Sequence, residues 1–467
     1  MQKFLSKYAV AAHLALLAVS PLLLFPFFAP GVVAEVVLWL CAFAVVWVFM
    51  EPSRHADEML HDARSRVAAS VLRDPLFWVL GLLTVLAGLR WINSNVEMAF
   101  DVENMRWHLT EPLFTALPAA SVGRGKIEFA LTFAVWIVLV GIRHSLGKQA
   151  RLSFIISSAF FAAIAAVIAI SVAALGNATA IVASKALFKT PSFIGAVFAV
   201  YALAATVALS GTIEAKWNRI GWIPALAVGG TFAGAFVFAP SVSVLLYGAA
   251  AVLTAFICMG WLGSVSRGVN AMRFFAILFI GVALGVLIVV CVAPDAIVES
   301  RVAEIKALNL FPKNFPELRA VLSKVAFRTW ENAKWLGSGL GTFASQMRFA
   351  ADKEDWKILV VTRPCALSAW WTLLAERGII GAMSFAVPLG FLSFTIFRRL
   401  PRIFGRRFFV PGLWLGIAIL AVAITESFYD VSYLRPEALL AIAAFLAIAA
   451  GSLPPLKKSR AAGNDED

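Results

Sequence analysis

Three arginines in one polar stretch are the residues of this sequence best suited to chemistry. Arg328, Arg348 and Arg363 lie within residues 294–376, a long polar interruption of an otherwise apolar chain. The guanidinium group is planar and permanently charged, and it binds phosphate oxygens two at a time. The stretch therefore indicates an anionic substrate such as a diphosphate. A surface salt bridge to Glu331 or a lipid headgroup contact would explain Arg328 equally well.

Two tryptophans and a glycine-rich turn follow Arg328. Trp330 and Trp335 present aromatic faces that we expect to contact a sugar or a polyprenyl chain. The turn contains three alternate glycines, Gly337, Gly339 and Gly341. Closely spaced glycines let backbone N–H groups approach an anion, which makes the turn a candidate for binding the same diphosphate. A plain sharp turn is the alternative. No Gly-Lys-Ser/Thr sequence follows, which excludes the phosphate loop of nucleotide-hydrolysing enzymes.

Glu376 and His108 are the candidates for proton transfer. Glu376 stands at the edge of an apolar run, where a carboxylate is costly unless it is paired. It would serve either as a general base or as the structural partner of an arginine. His108 is the one histidine in a segment that we place outside the membrane, and histidine can remove a proton from an acceptor hydroxyl. The external segments show no metal-ligand spacing of histidines and carboxylates, so we predict no metal and no cofactor.

The composition predicts an all-α polytopic membrane protein. The chain has 467 residues, of which 61% are hydrophobic and only 14% charged. Soluble domains average about 45–50% apolar and about 25% charged residues. We attribute much of the net charge of +13 to basic cytoplasmic loops rather than to nucleic acid binding. The four cysteines show no Cys-x-x-Cys spacing, which indicates neither a disulfide framework nor a zinc site.

Apolar runs predict about twelve membrane spans, because a spanning helix needs roughly 20 apolar residues. They lie near residues 8–28, 31–50, 75–89, 127–142, 152–175, 191–211, 221–238, 241–261, 274–293, 378–397, 408–425 and 438–453. Arginine and lysine are concentrated in every second loop, which places those loops and both termini in the cytoplasm. The longer loops on the other side are then 90–126, 176–190 and 294–376, with a shorter one at 426–437. Glu35 is the clearest ionisable residue inside a predicted span.

The prediction divides the chain into four parts. Residues 1–293 form a bundle of the first nine spans, 294–376 an external loop with the candidate site, 377–453 the last three spans, and 454–467 a cytoplasmic tail. Within the loop, apolar residues recur at helical spacing at Leu318, Val321, Leu322 and Val325, so we expect a small helical cap. Residues 51–74 are either an interfacial helix that binds anionic lipid or a solvated connector.

Two segments resemble the signatures of the O-antigen ligase and polysaccharide polymerase family. Residues 328–343 read Arg-Thr-Trp-Glu-Asn-Ala-Lys-Trp-Leu-Gly-Ser-Gly-Leu-Gly-Thr-Phe. They resemble the first signature, an arginine, a short helix and a Gly-x-Gly-x-Gly-x-Phe turn. Residues 373–381, Leu-Leu-Ala-Glu-Arg-Gly-Ile-Ile-Gly, resemble the second signature, a leucine-rich Ala-Glu-x-Gly-x-x-Gly segment that begins a span.

The resemblance implies a GT-C-like bundle and a metal-independent glycosyltransferase of the bacterial inner membrane. Such enzymes transfer a glycan from an undecaprenyl diphosphate carrier to lipid A–core or to another acceptor, and external arginines hold the diphosphate. The positions of this chain that match the family's functional motifs are Arg328, the glycine turn and Glu376. The family's histidine falls at Leu367, and Ser266-Arg267-Gly268 matches a second arginine motif on the predicted cytoplasmic side. The base is therefore unassigned, with His108 as a candidate.

Two other interpretations stay open. A transporter or flippase of a lipid-linked glycan would need polar or cationic residues along a central cavity, and the predicted spans are almost uncharged. A non-catalytic subunit of an envelope complex would account for the missing histidine. The expected partners are an undecaprenyl-diphosphate-linked glycan, a lipid or glycan acceptor and membrane lipids, with no nucleic acid.

Overall fold

Helices make up most of the structure. The computed structural model describes residues 2–24, 26–50, 60–175, 192–215, 222–239, 241–265, 269–293, 295–306, 315–359, 365–404, 411–427 and 436–451. The helices are α1 (Gln2–Leu24), α2 (Pro30–Met50), α3 (Leu60–Leu72), α4 (Pro75–Ile92), α5 (Arg124–Val140), α6 (Lys148–Ala174), α7 (Ser192–Glu214), α8 (Trp222–Phe238), α9 (Ser241–Val265), α10 (Val269–Val292), α11 (Asp295–Lys306), α12 (Phe315–Asn332), α13 (Phe343–Ala350), α14 (Lys353–Leu359), α15 (Ala369–Phe404), α16 (Pro411–Ser427) and α17 (Pro436–Ala450). A π-helical turn, Gly141–Ser145, continues α5. The prediction of an all-α membrane protein is confirmed, and the described residues add one short antiparallel hairpin of β1 (Met98–Asp101) and β2 (Arg106–Leu109).

Within the described residues, eight helices are long and apolar enough to cross a membrane. They are Gly31–Met50, Pro75–Ile92, Arg124–Ser145, Gln149–Ala174, Gly195–Glu214, Val242–Gly263, Asn270–Val292 and Ala369–Arg398. Shorter apolar helices occupy the other predicted span positions: Tyr8–Leu24, Trp222–Phe238, Gly412–Ser427 and Leu439–Ala450. The chain is therefore a helical multi-pass membrane protein, and the total of twelve spans stays a prediction. Arg267, Arg363, the loop 176–190 and most of the loop 426–437 lie outside the described residues.

Small residues let the central helices pack closely. Gly230 and Gly234 of α8 lie against Ala163 and Ala166 of α6, where an added Cβ would come within 2.7 Å of each alanine Cβ. Helix association in lipid depends on such close van der Waals contact, because burial from water does not drive it. Larger buried side chains fill the remaining space, among them Phe154, Phe198, Tyr201 and Phe445. This packing fixes the helix ends, which carry the charged residues described below.

A buried ion cluster holds the bundle end at which α4 begins and α5 finishes. Asp74 Oδ2 lies 2.7 Å from Arg143 Nε and 2.8 Å from His144 Nε2. Ser70 of α3 is 3.0 Å from the other nitrogen of His144. Burial disfavours the charged form of Asp74, yet the hydrogen bonds of His144 and Arg143 lower its pKa to about 2. The cluster ties α3, α4 and the π-helical turn together.

The opposite end of the bundle carries the hairpin and a helical cap, and we refer to it as the capped end. The cap comprises residues 295–306 and 315–359. Its own core contains Leu322, Val325, Phe343, Met347 and Leu359, and Leu318 and Val321 pack against it. The amphipathic helix predicted from residue spacing is therefore confirmed as α12.

Candidate functional site

Arg328, the leading candidate from the sequence, lies in an ion cluster of the cap. Its Nη1 is 2.8 Å from Asp352 Oδ2 and 3.1 Å from the carbonyl oxygen of Ala350. Lys324 reaches Asp352 at 3.2 Å and Asp355 at 3.1 Å. Hydrogen bonds from Arg328 and Lys324 lower the pKa of Asp352, and hydrogen bonds to Asp355 and Asp352 raise the pKa of Lys324. Arg328 therefore makes a salt bridge within the cap and holds α12 to the start of α14.

The glycine turn, residues 337–341, joins the cap to the bundle. The N–H groups of Ser338 and Gly339 donate to the carbonyl oxygens of Ala375 and Glu376 at 2.9 and 3.1 Å. The N–H of Gly337 donates to a carbonyl of the preceding turn at 2.9 Å. These N–H groups donate to protein carbonyls, so they are not open to an anion in this conformation, and anion binding by the turn stays a prediction. The alternative of a plain sharp turn fits the contacts.

Two glycines permit this close approach. Gly337 has φ +77° and lies against the backbone of Glu376, while Gly378 has φ +62° and lies against the backbone of Trp335. An added Cβ would overlap main-chain atoms at both positions. The N–H of Ile380 donates to the carbonyl oxygen of Trp335 at 3.1 Å. Gly378 also interrupts α15, so a short helix beneath the cap precedes the span.

The Glu376 side chain is buried beneath the glycine turn. Its Oε1 lies 3.3 Å from the backbone nitrogen of Phe343, and the carboxylate also accepts the N–H of Gly341. The positive charges of Arg124 and Arg377 act on it as well. A carboxylate at the N-terminus of α13 is favoured by the helix dipole and by unpaired N–H groups. These contacts fit the structural alternative for Glu376.

The two predicted residues near the hairpin do not meet Arg328. His108 is exposed on β2 opposite Ala99, and the nearby Asp101 has its pKa lowered chiefly by hydrogen bonds from Asn104. Arg348 lies over the ring of Trp107, with its guanidinium carbon 5.9 Å from the ring centroid. None of the contacts described for these side chains joins them to the ion cluster of Arg328.

The two tryptophans proposed for glycan contact differ in their surroundings. The indole nitrogen of Trp330 donates to the carbonyl oxygen of Lys334 at 3.2 Å, and its ring packs on Phe327. Trp335 is 67% exposed. Arg363 falls outside the described residues. The predicted site residues are therefore spread over the cap and the hairpin rather than gathered in one cleft.

Charged side chains do converge at the capped end, between α4, α5 and α15. Glu128 Oε1 lies 2.6 Å from Arg377 Nη1 and 3.4 Å from Arg90 Nη1. All three side chains are buried, with exposed fractions of 7% for Arg90, 6% for Arg377 and 2% for Glu128. Two guanidinium groups share one carboxylate, so this triad has an excess of positive charge. A buried charge needs compensation by a partner.

The triad also contains polar atoms with no protein partner. Within the described part of the chain, Arg90 Nε and Glu128 Oε2 are buried and make no hydrogen bond. Leaving such an atom unsatisfied costs about 1–3 kcal/mol, so its presence indicates a missing ligand or water. Gly381 gives Arg90 room beside α15, because an added Cβ would lie 3.3 Å from Arg90 Nη2.

An apolar groove runs from the triad into the bundle. Its walls are lined by Leu80, Leu83, Leu86, Thr132, Val135, Leu139, Ser384, Phe385, Pro388, Leu389, Leu392, Leu439 and Ala443. The cavity volume within the groove is small, about 60 Å³, so a long ligand would lie mostly along its open side. Along α4 the lining runs from Leu80 to Arg90, which at 1.5 Å per residue is about 15 Å. An anionic head with a long apolar tail would fit this arrangement.

The triad is not among the site residues predicted from the sequence, although a signal for it is present. Glu128 lies inside a predicted span, Arg90 directly follows one and Arg377 directly precedes one. Ionisable residues in such positions are functional candidates by default, and all three were assigned to the same side of the membrane. Glu35, which was selected instead, forms an ion pair with Lys126 and has a 60% exposed side chain.

Comparisons with known proteins add nothing to the resemblance to O-antigen ligases, which depends on the two sequence motifs alone. No protein-family model matches the chain, and no curated protein matches it. Among the residues that the structure describes, no group of three or more His, Cys, Asp or Glu side chains is placed to hold a metal ion. The chemistry of the groove and the two motifs are therefore what bears on the function.

Proposed function

We propose that this protein is a membrane glycosyltransferase of the O-antigen ligase or polysaccharide polymerase type. It would transfer a glycan from an undecaprenyl diphosphate carrier to lipid A–core or to another glycan. One observation carries the proposal: Arg90 and Arg377, which share Glu128, lie buried at the polar end of an apolar groove. A diphosphate on a long lipid is the class of ligand that suits both parts of this groove.

The charges of the triad favour an anionic head. Arginine binds phosphate oxygens through paired, charge-assisted hydrogen bonds, and two arginines from different helices can hold two phosphates. The unsatisfied Arg90 Nε provides a further donor at this position. The leucines of α4 and α15 would contact the polyprenyl chain as it passes into the bilayer. Arg328 then has a structural role within the cap, because its salt bridge joins α12 to the start of α14.

The transfer reaction requires these arginines to stabilise the leaving group. The bond between sugar C1 and the diphosphate oxygen breaks, and a bond forms between C1 and the acceptor hydroxyl oxygen. The electron pair of the broken bond leaves with undecaprenyl diphosphate, and the acceptor proton passes to a base or to solvent. Preorganised guanidinium groups stabilise the charge that develops on the leaving oxygen. The proposal assigns no base, because Glu376 is buried by the glycine turn and His108 lies on the hairpin.

The orientation in the membrane forms part of the same proposal. The capped end faces the periplasm of the bacterial inner membrane, and both termini lie in the cytoplasm. The alternation of basic loops along the sequence supports this orientation. The lipid-linked glycan and its acceptor would then meet the groove from the outer leaflet.

Replacement of the two arginines tests the proposal. We expect Arg90→Ala and Arg377→Ala to reduce glycan transfer by at least about 100-fold, in line with the loss of one preorganised donor from an enzyme site. The assay uses purified protein in proteoliposomes with lipid-linked glycan as donor. Lys126→Ala is the matched control, because it removes a cation from the same end that pairs with the exposed Glu35. Wild-type rates in both arginine variants would overturn the proposal.

The same proteoliposomes separate the competing functions. Movement of intact lipid-linked glycan across the bilayer, without a new glycosidic bond, would replace the proposal by a flippase. A folded wild-type protein that neither transfers nor moves the glycan would instead be a non-catalytic subunit. The donor and the product are followed by mass spectrometry on each side of the membrane.

A further inference from the structure

A second apolar cavity lies among the central helices and shares no lining residue with the groove. It is lined by α7, α8, α9 and α10 and has a volume of about 270 Å³, compared with about 60 Å³ for the groove. Helices α8 and α9 follow each other in the chain, yet their described residues hardly approach one another. Alanines of α7 and small residues of α9 widen the space further. The cavity is therefore the space that the protein's own side chains leave between α8 and α9.

The lining of this cavity offers nothing to a polar ligand. Among the described residues that line it, Thr206 and Tyr247 alone carry a hydroxyl group, and none is charged. Thr206 donates to the carbonyl oxygen of Ala202 at 3.0 Å, and Tyr247 donates to Glu426 Oε2 at 3.0 Å. Engineered apolar cavities of about 150 Å³ stay dry and bind hydrocarbons such as benzene. The larger cavity here is therefore suited to a hydrocarbon rather than to water.

The cavity opens sideways toward the membrane. Gly248 and Val252 of α9 line it, and both are exposed, Val252 to 57%. An added Cβ on Gly248 would meet no atom within 4 Å. Both residues lie within Val242–Gly263, which is long and apolar enough to cross a membrane. A molecule that enters between these residues and α8 therefore comes from the hydrocarbon region of the bilayer, which consists of lipid chains.

A buried carboxylate lies at one end of the cavity. Glu426, near the end of α16, is fully buried and accepts hydrogen bonds from Ser243 at 2.7 Å and from Tyr247 at 3.0 Å. The next residue, Ser427, accepts the indole N–H of Trp370 at 3.2 Å. Trp370 belongs to the start of α15 beneath the cap, so this is the capped end of the bundle. A lipid diphosphate needs cations around its head, and here the charged neighbour is an anion.

The depth of the cavity matches one leaflet of a bilayer. The lining residues of α9 recur every three or four positions from Val244 to Ala255, so one face of the helix borders the cavity. At 1.5 Å per residue this face is about 16 Å long. Half of a hydrocarbon core that is about 30 Å thick is about 15 Å. Because Val244 lies at the capped end, the cavity extends through the leaflet on that side.

We infer that this cavity binds one acyl chain of a zwitterionic phospholipid from the leaflet on the capped side. The chain lies along the bordering face of α9, and the head stays at the membrane surface. A zwitterionic head carries a cation that tolerates the nearby carboxylate, whereas an anionic head is repelled. The bound chain fills the space between α8 and α9 and so keeps Ser243 and Tyr247 against Glu426. The inference does not depend on glycan transfer.

A side chain placed in the cavity tests this inference. Gly248→Leu fills the space, and Gly260→Leu is the matched control, because Gly260 lies on the same helix, has open space around it and does not line the cavity. Leucine favours a helix interior over glycine, so both variants should fold. The probe is phosphatidylethanolamine, added to delipidated full-length protein in detergent, and native mass spectrometry counts the bound lipid. We expect occupancy to fall at least about tenfold in Gly248→Leu, less in Gly248→Ala, and not at all in Gly260→Leu.

Thermal unfolding distinguishes a lost site from a lost fold. Phosphatidylethanolamine should raise the melting temperature of the wild type and of Gly260→Leu, because a ligand that binds only the folded protein stabilises it. Gly248→Leu should melt no lower than the lipid-free wild type and respond less, and Gly248→Ala provides the same comparison with a smaller change. Equal lipid occupancy in the wild type and both Gly248 variants would overturn the inference, as would a wild type that retains no lipid. Recovery of a lipid-linked glycan from the cavity, in place of a phospholipid, would also overturn it.

Discussion

Glu128 allows two guanidinium groups to lie together in the bundle without a ligand. Its Oε1 contacts both Arg90 and Arg377, and its Oε2 makes no hydrogen bond among the described residues. Removal of one partner from a buried ion network costs about 3–5 kcal/mol, because the remaining charge is left uncompensated. Under the function proposed above, an oxygen of the diphosphate would replace Glu128 Oε1 as the partner of the two arginines. Glu128 would then stabilise the protein in the absence of the anion and compete with the anion for the arginines.

Glu128→Gln should separate these two effects. The amide keeps the shape of the side chain and loses its charge, so we expect a lower melting temperature without ligand. Pyrophosphate should raise the melting temperature of this variant more than that of the wild type, because it supplies the lost negative charge. Glu35→Gln is the control, since its pair with Lys126 is exposed and such pairs contribute about 0–1 kcal/mol. Equal pyrophosphate shifts in Glu128→Gln and wild type would contradict this role of Glu128.

At the scale of elements, the junction between the glycine turn and α15 positions Arg377. Gly378 has φ +62° and ψ −169°, a combination that is open essentially to glycine alone. The kink sets the direction of the span and brings Glu376 beneath the turn, with Arg377 beside Glu128. The cap and the charged end of the groove are therefore coupled through one residue that has no side chain.

We expect Gly378→Ala to destabilise the protein by more than about 2 kcal/mol, from backbone strain together with overlap on Trp335. Gly390→Ala is the control within the same helix, because an added Cβ there meets nothing within 4 Å. Alanine favours a helix interior over glycine, so the control should be neutral or stabilised by about 0.5–1 kcal/mol. Thermal unfolding in detergent and protease cleavage of the cap measure the difference. A Gly378→Ala protein as stable as the control would show that the kink is not required.

The elements of this protein could be predicted more readily than the contacts between them. The spans and α12 depend on local features, such as the spacing of Leu322 and Val325 on one helix face. The structural role of Arg328 depends on its salt bridge with Asp352, which lies in a later segment. Local sequence patterns do not predict such a contact. The triad likewise joins three helices that are far apart along the chain. Alternate glycines indicate either an anion site or a close docking of backbones, and only the fold distinguishes the two.

At the scale of the whole molecule, the two ends of the bundle differ in chemistry. One end holds the closed Asp74 cluster, in which the carboxylate is satisfied by Arg143 and His144. The capped end holds the triad, in which polar atoms lack a protein partner among the described residues. Of these two clusters, the triad is the one that lines the apolar groove. The function proposed above therefore requires the capped end to face the compartment in which the glycan is transferred.

A backbone contact between the segment before α5 and the glycine turn limits how many times the chain can cross the membrane. The N–H of Leu340 donates to the Ala119 carbonyl oxygen at 3.1 Å, so the segments before α5 and after α10 lie at the same end. An even number of crossings must separate them. Of the helices described between them, five meet the length of a span, and Trp222–Phe238 is shorter. We therefore predict that Trp222–Phe238 also crosses, which makes six.

Labelling with a membrane-impermeant maleimide tests this arrangement and its orientation together. Thr115→Cys and Lys353→Cys lie exposed at the capped end, and Ser65→Cys lies exposed on α3 at the other end. Each is placed in a Cys291→Ser background, because the other native cysteines are buried. Since basic loops stay in the cytoplasm, we expect the first two to react on intact spheroplasts and the third only after permeabilisation. The reverse pattern would place the charged end of the groove in the cytoplasm and would contradict glycan transfer at the periplasmic face. Different behaviour of Thr115→Cys and Lys353→Cys would mean an odd number of crossings between hairpin and cap, which the contact between Leu340 and Ala119 does not allow.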